Sequence, residues 1–279
     1  MSSGGEQKYI LAIDLGTSGP KVALASTQGT VVGMEFEKTK VILLPHGGAE
    51  QDPADWWQAI SNAVKRLLGR QLVPPSDIIA LNCTTQWSGT VAVDRDGNPL
   101  ANAIIWMDSR GARFIKEIAG GPVSIQGYGL MKLIRWLRLT GGAPGQAGKD
   151  PIAHILFIKN KFPEIYQKAY KFLEPKDYLN LCLTGKFAAS YDSIILHWCT
   201  DNRDITHIVY NDRLLKTAGI ERKKLPDLMP VAEVLGPLKK DIAADWGLEE
   251  NVQVVNGTPD VQSAAVGSGA VKDFEGHLY

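Results

Sequence analysis

Apolar and polar positions along the first hundred residues predict strands with one helix between them. Tyr9–Asp14 is an apolar run that ends on a carboxylate, and Lys21–Ser26 resumes the apolar pattern beyond Leu15-Gly16-Thr17-Ser18-Gly19-Pro20. Small and hydroxyl residues between two apolar runs read as the turn of a β-hairpin. Gln28-Gly29 marks a second turn before a strand near Thr30–Phe36, and Ile78–Cys83, Thr90–Val93 and Ala103–Trp106 read as further strands, with a turn at Arg95-Asp96-Gly97-Asn98. Between them, Trp56, Ile60, Ala63, Val64, Leu67 and Leu68 recur at helical spacing. Asp52 is placed as N-cap of that helix, Pro53 at its first position, Asp55 in its first turn and Gly69 at its end. Strands, helix and strands again predict an α/β domain with a mixed sheet and flanking helices.

From Ser109 to about Leu248 the pattern is mainly helical, with loops at Gly120-Gly121-Pro122 and Thr140–Gly145. This helical insertion is expected to pack over one side of the sheet. Val252–Asn256 returns as a strand, followed by a helix with Thr258 as N-cap, Pro259 at the first position and Asp260 in the first turn. Val261–Val266 form its body and Gly267-Ser268-Gly269 its close. Gly276–Tyr279 reads as the opening of another strand, so the chain is expected to be cut short of a further domain. The small, polar start is expected to be a disordered tail, about 1–8, with the main domain over 9–270.

Composition narrows the class. The 279 residues are 44% hydrophobic and 22% charged, an ordinary globular balance able to bury a sizeable core. Lys and Arg total 30 against 30 Asp and Glu, and the balance and the absence of a polybasic run give no pointer to nucleic acid or an anionic membrane. No apolar run reaches the length of a membrane span, and the first residues lack the apolar core of a signal peptide. Cys83, Cys182 and Cys199 are far apart in sequence and read as reduced thiols of a cytoplasmic protein. The five histidines make no zinc-binding spacing.

The opening hairpin is the strongest chemical candidate. Its tip offers backbone N–H groups, the hydroxyls of Thr17 and Ser18 and the ammonium of Lys21, which together suit a polyphosphate, while Asp14 suits a hydrated magnesium ion. The same residues suit an ordinary tight turn, and taken alone they leave both readings open. Ala143-Pro144-Gly145-Gln146-Ala147-Gly148-Lys149-Asp150 has the look of a P-loop but lacks the first glycine, the hydroxyl after the lysine and a preceding strand, so it reads as a loop. No GxGxxG follows a strand.

Four segments in order carry a resemblance: Ile13-Asp14-Leu15-Gly16-Thr17-Ser18 with Lys21; Glu50-Gln51-Asp52-Pro53 with Trp56-Trp57; Trp106-Met107-Asp108-Ser109-Arg110; and Pro175-Lys176-Asp177-Tyr178-Leu179. Together they resemble the N-terminal half of an FGGY-family carbohydrate kinase, a group with the actin-like, ribonuclease H-like ATPase fold that includes xylulose and glycerol kinases. The resemblance implies ATP-dependent phosphorylation of a sugar or polyol hydroxyl. Asp14, Gly16, Thr17, Ser18 and Lys21 match the first phosphate motif, with Asp14 holding Mg2+ through water. Asp260 matches the catalytic base. Gln86, Trp87, Ser88, Trp106, Asp260 and Val261 fall at substrate-contacting positions. A C-terminal domain carrying the adenosine pocket is implied as the partner, and the group leaves room for a homodimer. The isolated piece is expected to have little kinase activity.

Departures from the family pattern bear on the substrate. Trp87-Ser88 stand where xylulose kinases carry Met-His and glycerol kinases Arg-Glu. Val261 replaces a polar residue, Pro20 replaces an apolar one, and His154 stands at a position where lysine is usual. Trp87 reads equally as a sugar-stacking platform or as core. Two rival readings stay open on the residues: a sugar-sensing or scaffold protein on the same fold, and an ATPase acting on protein partners.

Overall fold

Six strands form the central sheet of the computed structural model, which describes residues 7–270 and residue 272. The expectations for Met1–Glu6 and for a strand at Gly276–Tyr279 lie outside the described residues. The sheet comprises β1 (Tyr9–Gly16), β2 (Gly19–Ser26), β3 (Val31–Phe36), β4 (Ile78–Thr85), β5 (Val234–Pro237) and β6 (Gln253–Val255), in the order β5-β6-β4-β1-β2-β3. β1 and β2 are antiparallel with Gly16 opposite Gly19, which leaves Thr17 and Ser18 as the hairpin tip. β4 lies parallel to β1, and β6 parallel to β4. Three neighbouring strands therefore end on the same edge of the sheet. Lys8, at the border of the expected tail, pairs with Asp77 at 2.9 Å.

Helix α1 (Pro53–Gly69) packs on one face of the sheet. Asp52 caps it, its Oδ1 accepting Ala54 N–H at 2.8 Å, and Pro53 takes the first turn. Trp56, Ile60, Ala63, Val64 and Leu67 bury one stripe of the helix. They pack in one core with Leu11, Ile13, Leu15, Val22 and Leu24 from alternate positions of β1 and β2. Each such aliphatic side chain contributes about 1.5–3 kcal/mol when fully buried.

The segment between β4 and β5 carries α2 (Ala112–Ala119), α3 (Leu130–Thr140), α4 (Pro151–Lys161), α5 (Pro163–Lys168), α6 (Pro175–Thr184) and α7 (Asp212–Ala218); α8 (Lys240–Trp246) lies between β5 and β6. Phe114, Ile115, Ile152, Ile155 and Phe172 build a second core there. Short strands interrupt the helices: Lys171–Leu173 pairs with Val91–Val93, and Ala188–Ser190 with Asp227–Met229. Three-residue strands are too short for an alternation to show in sequence. The strand expected over Ala103–Trp106 stops at Ile104, because the chain turns, with Asp108 N–H bonded to Ile105 O at 2.8 Å.

The last described helix, α9 (Asp260–Gly267), begins one residue later than the capping pattern suggests. Pro259 is the N-cap and Asp260 the first helical residue. The Thr258 hydroxyl is taken by Asp192 instead. Among the described residues no helix is long and apolar enough to cross a membrane.

Candidate active site

Ligands of open α/β sheets bind beyond the carboxyl ends of the parallel strands. Here β1 carries Asp14 near its end and runs into the Thr17-Ser18 tip, β4 runs into Gln86-Trp87-Ser88, and β6 runs into Asn256–Asp260. Asp14 sits opposite Thr84 in the β1–β4 register. The Thr84 hydroxyl in turn accepts from Ser263 Oγ of α9 at 3.0 Å. The hairpin and the start of α9 thus flank the same end of β4.

Backbone constraints shape the hairpin. Gly19 has φ +135°, and a Cβ there would stand 2.0 Å from the backbone oxygen of Glu37, so only glycine fits. Pro20 is tolerated because the adjacent segment donates: Glu37 N–H bonds to Pro20 O at 3.1 Å and Thr39 N–H to Ser18 O at 3.2 Å. Those bonds ask the turn for acceptors, which proline retains. Asp14 and Lys21 face each other with Oδ2 and Nζ 3.1 Å apart, and their side chains are 37% and 52% exposed. A pair this exposed is worth little by itself, so both groups can exchange each other for a ligand. Ser18 is exposed at the tip.

Thr17 turns its hydroxyl toward Gln86 and Trp106. Its hydroxyl donates to Gln86 Oε1 at 3.0 Å and accepts from Trp106 Nε1 at 3.0 Å. Gln86 Nε2 donates to Gln51 Oε1 at 2.6 Å, and Gln51 Nε2 donates to Thr17 O at 3.0 Å and Lys40 O at 3.2 Å. Gln51 and Gln86 are both buried. Gln51 belongs to the second sequence motif but was not singled out as a site residue; its sequence signal was only its place beside Glu50 and Asp52.

The second and third motifs are joined by an ion pair. Asp108 is 1% exposed; its Oδ2 accepts Ala49 N–H at 2.9 Å and Arg110 Nε at 2.8 Å. Arg110 Nη2 reaches Glu50 Oε1 at 2.6 Å, and its guanidinium covers the Phe157 ring at 4.4 Å. These side chains fix the loop that presents Trp106.

Asp260 stands at the first turn of α9, where the helix dipole favours an ionised carboxylate. Its Oδ1 accepts Val261 N–H at 2.8 Å. The preceding turn is tight: Gly257 has φ +77°, and a Cβ there would come within 2.4 Å of Cys83 O. Val261 is 38% exposed beside Asp260.

The remaining candidates attach to the helical segment. Trp87 is half-buried with Nε1 donating to Ser193 O at 3.2 Å, and Ser88, at φ +63°, donates its hydroxyl to Lys149 O at 2.8 Å. Trp106 is 43% exposed, with the Lys149 ammonium 5.8 Å from its ring centroid. The structure therefore links Thr17, Gln86 and Trp106 directly, whereas Trp87 and Ser88 are held through Ser193 and Lys149. His154 is fully buried beside Thr90, Nδ1 to Oγ1 3.2 Å, and burial pushes its pKa down to about 4. It is neutral near pH 7 and does not replace the charge of a lysine. The P-loop-like stretch follows helix α3 rather than a strand, and Asp150 Oδ2 closes it by accepting Gly145 N–H at 2.8 Å.

A mixed sheet of this order with site segments on three parallel strand ends defines a protein of the actin-like ATPase fold. Residues 9–267 match the model of the FGGY family of carbohydrate kinases, N-terminal domain, and the chain belongs to that family. The xylulose kinase of Escherichia coli (strain K12) is 33% identical over 263 residues, covering 94% of this chain and 50% of that protein. The chain spans about half the length of the curated relatives it matches. Among solved structures, a xylulose kinase from Brucella ovis superposes with TM-score 0.82 at 26% identity over 95% of this chain and 51% of that one. The Plasmodium falciparum glycerol kinase with ADP gives TM-score 0.81 at 21% identity over 96% and 52%, a likeness of fold.

Proposed function

We propose that this chain is the substrate-binding half of an ATP-dependent sugar or polyol kinase, xylulose kinase-like in its acceptor. The observation that carries the reading is that Asp14, near the carboxyl end of β1, and Gln86 and Asp260, in the segments just beyond β4 and β6, lie at the same end of three adjacent parallel strands. Asp260 accepts the proton of the attacking hydroxyl, which asks for an ionised carboxylate at a helix start. Gln86, Trp87, Ser88, Trp106 and Val261 line the sugar side. Trp106 offers a half-exposed aromatic face, and Val261 offers an apolar patch where a hydroxyl partner would be polar.

The residues present fit ATP with Mg2+. The Asp14 carboxylate, 37% exposed beside the hairpin tip, suits a magnesium ion carried chiefly by phosphate oxygens and water. Gly16, Ser18 and Lys21 would receive the phosphates, and Thr17 would steady the turn. ATP supplies the γ-phosphoryl group, and its transfer depends chiefly on positioning and charge stabilisation. A second domain completes the nucleotide pocket in this reading, so the isolated chain has little turnover.

Cytoplasmic residence is part of the proposal. Cys83, Cys182 and Cys199 are all free, and burial pushes their thiols up to about 12, about 11 and about 12, which keeps them protonated and inert.

The commitment of the Ser88 hydroxyl to Lys149 O and the apolar Val261 favour one second reading, a sugar-binding protein without catalysis. The test is a panel of ketoses and polyols offered with ATP and Mg2+ to the whole gene product that carries this sequence. ADP release with at least one acceptor supports the kinase reading. Sugar binding with no ADP release from any acceptor supports the second reading and removes the first.

A further inference from the structure

Lys176 and Asp177 form an ion pair with no solvent exposure on either side chain, Nζ to Oδ1 2.6 Å. Such a pair is expensive to desolvate, and apolar residues of similar volume are often as stabilising or more so. Its contribution is therefore better sought in what it holds. The Lys176 ammonium has three donors, and all three are used: Asp177 Oδ1, Asn256 O at 3.1 Å and Asn256 Oδ1 at 3.2 Å. Asn180, one turn along α6, donates to the same Asn256 carbonyl at 2.7 Å. Asn256 is fully buried and immediately precedes Gly257, the left-handed turn that leads to Asp260.

The other carboxylate oxygen of Asp177 accepts the Ser193 hydroxyl at 2.8 Å, and Ser193 O accepts Trp87 Nε1. Asn256 of the Asn256–Asp260 turn and the indole of Trp87 are thus both reached from one buried centre, and Thr258 of the same turn is held by Asp192, next to Ser193.

We propose that the buried Lys176–Asp177 pair, with Asn180, is a positioning device that fixes the turn bearing Asp260 relative to Trp87, and so sets the reach of Asp260 toward the acceptor hydroxyl. This rests on the reading of Asp260 as the base. The three side chains touch no reacting atom; they act through the Asn256 carbonyl. A misplacement of about 1 Å at a catalytic group can cost about 100-fold in rate.

The test compares the native protein with the double variant Lys176→Met/Asp177→Leu and with Asn180→Leu. The double variant removes both charges together, so no buried charge is left alone. Asn180 Oδ1 is buried without a hydrogen-bond partner, so Asn180→Leu relieves that cost while removing the shorter of the two hydrogen bonds to the Asn256 carbonyl, and it serves if the double variant does not fold. In this chain, amide hydrogen exchange at 256–261 is expected to accelerate at least tenfold in either folded variant, with β1 and β2 unchanged. In the whole gene product, kcat is expected to fall about tenfold for Asn180→Leu and about 100-fold for the double variant, with KM for ATP within about twofold of native. A folded variant with native exchange at 256–261 and native kcat overturns the proposal. If the native protein phosphorylates no acceptor, the kinase reading falls by itself; the exchange measurement then decides the positioning role, local acceleration upholding it and native protection overturning it.

Discussion

Gln86 donates its amide nitrogen to Gln51 across 2.6 Å while its oxygen accepts the Thr17 hydroxyl at 3.0 Å. One buried side chain thereby connects the end of β4, the segment before α1 and the hairpin that closes β1. Thr17 passes the connection on to Trp106. The opening hairpin and Trp106, the proposed phosphate and sugar sides, share one hydrogen-bonded chain, so disturbing the middle of it should affect both.

Gln86→Leu is the sharpest probe of that chain. It keeps the volume but strips Gln51 Oε1 and the Thr17 hydroxyl of their shared partner. A buried polar group left unsatisfied costs about 1–3 kcal/mol. Urea denaturation should show a loss of at least that size, with the m-value unchanged. Native stability in the variant would mean that the bridge contributes nothing.

Gly19→Ala tests the hairpin backbone. The added methyl meets Glu37 O at 2.0 Å in a conformation with φ +135°. The expected cost exceeds about 1–3 kcal/mol, the usual penalty for a side chain in such a region, because a backbone clash adds to it. Alanine at Gly29, which also has positive φ but no atom within 4 Å, is the comparison and should cost less. Equal stabilities would contradict the close approach.

The buried histidine makes a pH prediction. His154 is neutral in the folded protein with its pKa lowered by burial from 6.5 to about 4. Between those values the unfolded chain binds the proton more readily, so the native state loses stability as pH falls from about 6.5 to about 4, by about 1.4 kcal/mol per pH unit. Above about 6.5 the contribution is flat. Glu174 acts in the opposite sense, since burial pushes its carboxyl well above the ordinary range. The difference between native protein and His154→Gln isolates the histidine. That difference should be constant above pH 6.5 and shift in favour of the variant by about 3 kcal/mol on reaching pH 4. A pH-independent difference would contradict the buried neutral ring.

Local features of the fold were legible in sequence because they depend on neighbours a few residues away. The strand-turn-strand of Tyr9–Ser26 and the Asp52–Pro53 helix start both appear where the pattern put them. The cap at Thr258 failed because its hydroxyl is claimed by Asp192, sixty-six positions earlier, and a capping pattern carries no information about such a competitor. Gln51 with Gln86, and Lys176 with Asn256, are also distant in sequence, 35 and 80 positions apart, so neither link leaves a local pattern to read. The candidate site is therefore legible as separate motifs through the family resemblance, while the bonds that join those motifs come from the fold.

The exposed Asp14–Lys21 pair predicts a separable nucleotide effect. In the whole gene product, Asp14→Asn should raise the magnesium concentration for half-maximal rate about tenfold or more, and Lys21→Met should raise KM for ATP similarly, with KM for the acceptor little changed. Steady-state kinetics with varied Mg2+, ATP and acceptor read the three constants separately. A change confined to the acceptor constant would move these residues out of the phosphate site.

The central claim is that Asp260 takes the proton from a sugar or polyol hydroxyl as ATP is consumed. Its most direct test is acceptor-dependent ADP release by the whole gene product, native against Asp260→Asn, at matched folding by circular dichroism. General-base assistance contributes about 10²–10⁴-fold, so the variant should fall by that factor in kcat while still binding the acceptor. An undiminished rate in Asp260→Asn would contradict the account.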